Sequence, residues 1–354
     1  MAELRICSRC VLPASFPGIR FDDNGVCNFC RTSATFQTRE SRRAELQAKF
    51  ARVVESARTA SSYHCLVAWS GGKDSTYTLA VLKEEFELRV LAYTFDNGFV
   101  SPAAWRNMQA VSSNLNVDQV VVRPRFDFLR QVFRDSVSSV QYARKALSRT
   151  SAICNSCMGL AKFAGLRIAI EQDIPMVAFG WSPGQLPLSA SIYRPRPAMA
   201  KAMMGATVGP LQRAGIGDAS TYFLQDRHFA AAQHFPWEVS PLAFLDYHQD
   251  EIFRRIERLG WSKPSDTGPN STNCLLNSLG ILVHQTQTGF HPYASELATL
   301  VREGKISRDE ALRRMETPEN PDTVRLAMER LGLASLDFSS AQLGSPGQKG
   351  SRGL

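Results

Sequence analysis

No stretch of this chain is a long uninterrupted apolar run of the kind that spans a bilayer. Met1-Ala2-Glu3-Leu4-Arg5 is followed by no apolar core, so it does not read as a signal peptide, and the cytoplasm is the expected compartment. Histidine is scarce, with six in the chain. His64, His228, His234, His248 and His284 have no ligand spacing and are read as surface or core residues. His291-Pro292-Tyr293 reads as the start of a helix. His228, beside Arg227 in a loop-rich stretch, is the best placed of them for acid–base work. No internal repeat is visible. Charge of one sign does not dominate: 41 basic against 33 acidic residues leave +8. That balance favours anionic ligands but is too mild to establish nucleic-acid binding. Hydrophobic residues at 44% and charged residues at 21% exclude a disordered chain. At 354 residues there is room for more than one unit.

Ser70-Gly71-Gly72-Lys73-Asp74-Ser75 is the most informative stretch. It follows the apolar run Cys65–Trp69 and precedes a helix-compatible segment, Thr76 to Phe86. Strand, glycine turn and helix together aim backbone N–H groups and a helix N-terminus at phosphate. Gly71 and Gly72 let the backbone approach an anion closely. Ser70 and Ser75 add hydroxyls, Lys73 adds a positive charge, and Asp74 can place a magnesium ion. The G-x-x-x-x-G-K-[ST] loop of other nucleotide-binding proteins is absent.

From Tyr63 onward strands alternate with helices. Expected strands are 66–69, 89–95, 118–122 and 175–179; expected helices are 126–147 and 158–172. Ser101-Pro102 reads as an N-cap followed by proline at the first helical position. This alternation implies an α/β fold with a parallel sheet, whose ligands bind at the carboxyl ends of the strands. Asp96-Asn97-Gly98 and Gly180-Trp181 stand at such ends. With the glycine loop they should gather round one cleft, with Thr94, Phe95, Asp96, Gly98 and Gly180 beside the nucleotide. Five segments are expected: a cysteine ribbon over 1–35, a linker helix over 36–60, a nucleotide-binding catalytic domain over 61–240, a helical region over 241–338 and a disordered tail over 339–354. Within 181–240 the pattern is irregular, with one short helix near 198–204. Arg194, Arg196 and Lys201 with Tyr193 read either as a clamp for an anionic substrate or RNA, or as a solvated loop. Arg123, Arg125, Arg130 and Arg134 read as a helix face.

Seven of the eight cysteines are grouped. Cys7-x-x-Cys10 and Cys27-x-x-Cys30 make a tetrahedral thiolate set, favouring structural zinc over two redox pairs or a single iron. Cys154-Asn155-Ser156-Cys157 stands just ahead of the helix expected at 158, and Cys274 lies in the turn-rich stretch 267–274. Three thiolates can hold a [4Fe-4S] cluster with one iron left open, whereas zinc would need a fourth ligand. Cys65, in an apolar strand, reads as buried and inert.

The glycine stretch resembles the PP-loop of the ATP pyrophosphatase superfamily, and the resemblance implies an adenine nucleotide alpha hydrolase-like domain that cleaves ATP to AMP and pyrophosphate. SGGKDS with CxxC and one distant cysteine is similar to the iron–sulfur PP-loop thiotransferases, among them tRNA thiolases. The ribbon Cys7-x-x-Cys10…Pro17-Gly18-Ile19…Cys27-Asn28-x-Cys30 and the segment Val301 to Ala311 are similar to the N-acetyl sugar amidotransferases of surface-polysaccharide synthesis. The inner cysteines favour the first likeness. It implies ATP, Mg2+, Zn2+ and a [4Fe-4S] cluster as cofactors. Lys73, Asp74, Cys154, Cys157 and Cys274 are the implied catalytic set, and a small molecule such as a nucleobase, or a tRNA, is the implied acceptor. A sulfur-donor protein or sulfide source is implied as partner, no membrane is, and a homodimer is left open.

Overall fold

Cys65–Ala68 (β1) is the strand on which the fold is built. Its first three side chains are fully buried with no polar alternation, the pattern of a strand covered on both faces. In the computed structural model, which describes residues 5–333 except 34–35, 61, 139–141, 217–218, 231–234 and 269, β1 lies inside a six-stranded sheet. Val90–Phe95 (β2) and Met176–Phe179 (β4) flank it in parallel. Asp118–Val122 (β3) extends the sheet beyond β2, and Trp237–Val239 (β6) extends it beyond β4, both in parallel. Ile192–Tyr193 (β5) closes the far edge antiparallel to β6. The order β3-β2-β1-β4-β6-β5 reverses at β1, so the crevice at the carboxyl ends of β1 and β4 is a topological switch point.

The helices in chain order are Asn28–Arg31 (α1), Phe36–Ala57 (α2), Lys73–Glu84 (α3), Pro102–Leu115 (α4), Phe126–Ser138 (α5), Ala152–Glu171 (α6) and Pro197–Arg213 (α7). Asp226–Ala230 (α8), Gln249–Arg258 (α9), Asn277–Thr288 (α10), Ala294–Arg302 (α11), Arg308–Glu316 (α12) and Pro321–Leu331 (α13) follow. One sheet face packs Val67, Val90 and Ala178 against Phe50 of α2, Leu79 of α3, Val111 of α4 and Ile252 of α9. The other packs Leu66, Tyr93 and Val177 against Ala164 and Ala169 of α6. Around α6 a second core gathers α5, α7, α10 and α13. The fold is thus the expected α/β class, with a parallel sheet, an N-terminal four-cysteine ribbon and a helical C-terminal region.

Several expected elements differ in extent. The helix expected over 126–147 ends at Ser138. The short helix near 198–204 runs the length of α7. The helix expected to begin at 158 begins at Ala152, because the Ser151 hydroxyl accepts the Cys154 N–H and caps it. Cys154 and Cys157 therefore lie inside its first turns, not ahead of it. The short strands β5 and β6 fall in the stretch read as irregular. The expected linker helix, α2, is built into the core through Phe50, Val53, Val54 and Ala57. Among the described residues α6 alone is long and apolar enough to cross a membrane by length and composition, with a mean hydropathy of 1.3 and half of it buried inside the protein. The expected tail over 339–354 lies outside the described residues.

Gly180 follows β4 where it touches the glycine loop. A Cβ there would stand 2.6 Å from Ser75 Cα and 2.7 Å from Ser75 N. Backbone cannot yield as a side-chain tip can. Gly180→Ala should cost roughly 1–3 kcal/mol by overpacking. The expected result is a lower denaturant midpoint with an unchanged slope; a midpoint equal to that of the unaltered protein would contradict the contact.

Candidate active site and metal centre

The chain leaves β1 through Trp69 and turns at Gly71, whose φ of +78° favours glycine. Two indoles fasten this turn: Trp69 Nε1 donates to Thr76 Oγ1 at 2.9 Å, and Trp261 Nε1 donates to Gly71 O at 3.0 Å. Helix α3 starts at Lys73 with Gly72 as its N-cap, so no side chain of the cap occupies its leading N–H groups. The Lys73 N–H instead donates to Thr272 Oγ1 at 3.0 Å. Lys73 Nζ donates to Asp74 Oδ1 at 2.5 Å and to Tyr247 Oη at 2.6 Å, and Tyr247 Oη donates to Asp74 Oδ1 at 2.9 Å. Burial, then the Asp74 charge, raise the Tyr247 phenol and keep it a donor.

A cleft of about 1240 Å³ opens over this turn. Ser70, Gly72, Lys73, Asp74, Ser75, Phe95, Gly180, Cys154, Cys157 and Cys274 all line it. Gly71, Thr94, Asp96 and Gly98 stand behind its wall. Thr94 is fully buried and its Oγ1 donates to Trp69 O at 2.7 Å, tying β2 to the end of β1. Asp96 accepts the Gly98 N–H at 2.9 Å through Oδ1 and pairs with Arg123 Nε at 2.6 Å through Oδ2. These contacts form the turn that presents Asn97, which the sequence placed at the cleft within Asp96-Asn97-Gly98 but gave no role, unlike both its neighbours. Asn97 Nδ2 lies 3.4 Å from Cys157 Sγ and 3.6 Å from Cys274 Sγ, donating towards both.

Cys154 and Cys157 are three apart on α6 and share its cleft-facing side. Cys274 arrives on a loop stitched to the segment after β2: Ser101 N–H donates to Asn273 O and Leu275 N–H to Phe99 O, both at 2.9 Å. Burial raises all three thiols, Cys274 to about 11, and their mutual repulsion raises Cys157 and Cys274 further. A tetrahedral ion with Zn–S near 2.3 Å spaces its sulfurs about 3.8 Å apart. Among the described residues, the one group of three or more ligand atoms lying within 4.8 Å of one another is Cys7, Cys10, Cys27 and Cys30. The inner three do not all lie within that distance of one another; three thiols on one cleft are the donor set of a cluster with one iron left open.

The N-terminal four meet the single-ion spacing. Cys7 and Cys30 sulfurs lie 3.9 Å apart, and those of Cys10 and Cys27 lie 3.8 Å apart. Burial raises Cys10, and it raises Cys30 to about 11. At Cys7 burial acts the same way, but the N–H groups of Cys10, Cys27 and Arg9 outweigh it and bring the thiol down to about 7. Such a cage charges fully only around a cation. Arg308 clamps it by donating through Nε to Cys10 O at 3.0 Å and through Nη2 to Cys7 O at 3.2 Å. Phe16 packs edge-on against Phe290, and Leu12 and Cys10 share a core with Leu297 and Ala298 of α11.

Away from both centres, His228 is buried against Glu171 Oε1 at 3.1 Å and takes no part in the cleft wall, so its expected acid–base role finds no place there. Cys65 is fully buried with its thiol raised by that burial, as expected of an inert cysteine. Tyr193 lines the cleft, whereas Arg194 Nε donates to Phe235 O at 2.7 Å and Lys201 lies over the Phe229 ring.

Sequence reasoning also passed over Glu296. Helix α11 brings it into the cleft wall near Asp74, with Gln185, Lys73 and Arg314 around it. Burial, then the Asp74 charge, push its carboxyl up to about 7. An unfolded glutamate loses its proton near 4.5, whereas folded Glu296 keeps it to about 7. Between those values the unfolded chain binds fewer protons, so stability falls as pH rises and then levels off. Glu296→Gln should remove that contribution. Denaturant titrations from pH 4.5 to 7 should show the variant gaining on the unaltered protein, and parallel curves would refute the assignment.

No protein-family model matches the chain. An uncharacterized protein of Methanocaldococcus jannaschii is 26% identical over 271 residues, which are 77% of this chain and 79% of that protein. The solved structure of the U34-tRNA thiolase NcsA of Methanococcus maripaludis, with its [4Fe-4S] cluster, matches 99% of this chain and 95% of its own at 14% identity and a TM-score of 0.37. A match at that score establishes no common fold.

Proposed function

We propose that this protein is an enzyme that uses ATP to replace a carbonyl oxygen with sulfur. The observation that carries the reading is that the glycine loop and the three inner cysteines face one cleft. The N–H groups at the start of α3 and the Lys73 ammonium bind the phosphates of ATP, and Asp74 places magnesium. The acceptor's carbonyl oxygen attacks the α-phosphorus and pyrophosphate leaves. Sulfide then adds to the activated carbon, and AMP departs with the original oxygen. The two displacements exchange oxygen for sulfur with no net redox change. Lys73 stabilises the charge that grows on the phosphates, and Tyr247 holds Lys73 and Asp74 in register. Cys154, Cys157 and Cys274 would hold a [4Fe-4S] cluster, which when bound supplies an iron free of protein ligands for the sulfur to be transferred. Asn97 orients two of those thiolates by donating to them. Cys7, Cys10, Cys27 and Cys30 hold structural zinc. The acceptor is a small molecule such as a nucleobase, or a tRNA, and a donor protein or free sulfide provides the sulfur.

A second reading is ATP-dependent amidation of an N-acetyl sugar. One observation favours it: the two stretches that resemble the sugar amidotransferases pack on each other, with Arg308 of the second donating to Cys7 O and Cys10 O of the first. The inner cysteines have no task in that chemistry, so it stands second.

Metal counts and an anaerobic absorption spectrum separate the two. Sulfur insertion expects iron and acid-labile sulfide with a broad visible band, together with one zinc that Cys27→Ser removes. Cys157→Ser should bleach the band and leave nucleotide binding in place. Lys73→Ala should lower pyrophosphate release on the order of a hundredfold with the band intact. Iron-free protein that transfers nitrogen would move the sugar reading to first place, and undiminished pyrophosphate release by Lys73→Ala would remove both.

A further inference from the structure

Deeper in the same cleft, α6 and the short strands β5 and β6 bring three polar side chains together. Lys162 Nζ lies 2.7 Å from Glu238 Oε2 and 2.8 Å from Tyr193 Oη, and Tyr193 Oη donates to the same Oε2. Glu238 is 4% exposed, yet it and both partners line the cleft. Both donors bind one carboxylate oxygen. Among the described residues the other, Oε1, takes no hydrogen bond. Burial, then the Glu238 charge, raise the Tyr193 phenol and keep it protonated. A buried Lys–Glu pair is poor value for stability alone, since apolar residues of similar volume hold a core as well. Here it holds a carboxylate in one orientation at the wall of a cavity. Phe179, at the end of β4, lies beside it with its ring centroid 5.9 Å from Lys162 Nζ, and Met158 and Met203 line the cleft as well. Beside the trio the lining is thus partly aromatic and apolar, with one oriented acceptor.

We propose that Glu238, held by Lys162 and Tyr193, is the recognition point for the acceptor, and that the acceptor is a planar heterocycle with a ring N–H beside its carbonyl. Oε1 accepts the ring N–H while the ring lies over Phe179. Drawing that proton towards the carboxylate shifts electron density onto the neighbouring carbonyl oxygen, the atom that must attack phosphorus. No other proton moves and no redox change is involved. Lys162 is five residues beyond Cys157, about 7.5 Å further along α6. A ring seated at Glu238 therefore stands within one cleft of both the cysteines and the phosphate loop. The trio is on the β4–β6–β5 side of β1, and Phe95 and Asn97 are on the β2 side. This inference rests on the carbonyl-activating reading of the cleft and narrows its acceptor class.

The test uses full-length protein loaded with magnesium and a non-hydrolysable ATP analogue, with no sulfur source. Calorimetry measures the binding of uracil, of hypoxanthine and of the uracil methylated on both ring nitrogens, which keeps no ring N–H. Uracil or hypoxanthine should bind, and the methylated ring should bind at least about tenfold more weakly than uracil. Glu238→Gln should weaken the binding of the unmethylated rings by a similar factor, with melting temperature and analogue affinity as checks on the fold. If that variant does not fold, Lys162→Met, which frees the carboxylate from its support, should weaken the same binding. Equal binding of methylated and unmethylated rings overturns the proposal. So does the absence of binding by both unmethylated rings, or a Glu238→Gln variant that loses the analogue instead of the ring. Since no sulfur is present, the assay is separate from the sulfur reading: ring binding by protein that inserts no sulfur when sulfide and ATP are supplied would sink that reading and leave this subsite standing.

Discussion

Everything in this molecule depends on how the chain leaves the centre of its sheet. A strand buried on both faces leads into a turn whose inward-facing polar groups need protein partners, because water cannot reach them. At the end of β1 this is done by indole and hydroxyl donors: Trp261 on Gly71 O, Thr94 on Trp69 O, and Trp69 on Thr76 Oγ1. The turn is held so that its carbonyls point into protein, while the leading N–H groups of α3 and the Lys73–Asp74–Tyr247 triangle face the cleft. Gly180 lies against the Ser75 backbone and closes the other side. The loop proposed to bind phosphate is thereby held in place by folding itself, before any ligand arrives.

The two cysteine groups differ by spacing, and spacing follows from what carries them. The first knuckle turns its own N–H groups onto Cys7 Sγ and the second adds the Cys27 N–H, and the four sulfurs stand at the separation of one tetrahedral ion. Here a helix turn and a distant loop do not converge so tightly. They leave three thiols in the cleft, of which Cys157 and Cys274 are tied through Asn97. In each group burial resists charging the thiols, although at Cys7 neighbouring N–H groups outweigh it.

Helix α11 joins these halves. Ala294, Leu297 and Ala298 belong to the core of the knuckle, while Glu296 enters the cleft near Asp74. Beside the helix, Tyr293 Oη accepts from Asn277 Nδ2 at 2.9 Å within the same wall. The ribbon at the start of the chain thus supports a wall of the cleft built more than 250 residues later in the sequence.

Local chemistry by itself determined the glycine turn, the four main parallel strands and the pairing of the four N-terminal cysteines, since each is written in contiguous residues: an apolar run, two glycines, a CxxC. Ser101-Pro102 was legible for the same reason, a cap and a proline acting within one turn. The cap at Ser151 was equally local, but the polar residues after it hid the apolar period, and the start of α6 was read late. The strands β5 and β6 are too short to carry a period at all. Only the tertiary structure decided what stands opposite what. Thr94, Asp96 and Gly98 proved to be supports behind the cleft wall, whereas Asn97, Tyr247, Glu238 and Glu296 proved to face into the cleft. Those four come from four separate parts of the chain, and each faces the cleft because of packing on its far side. A pattern of neighbours along the sequence holds no record of that packing.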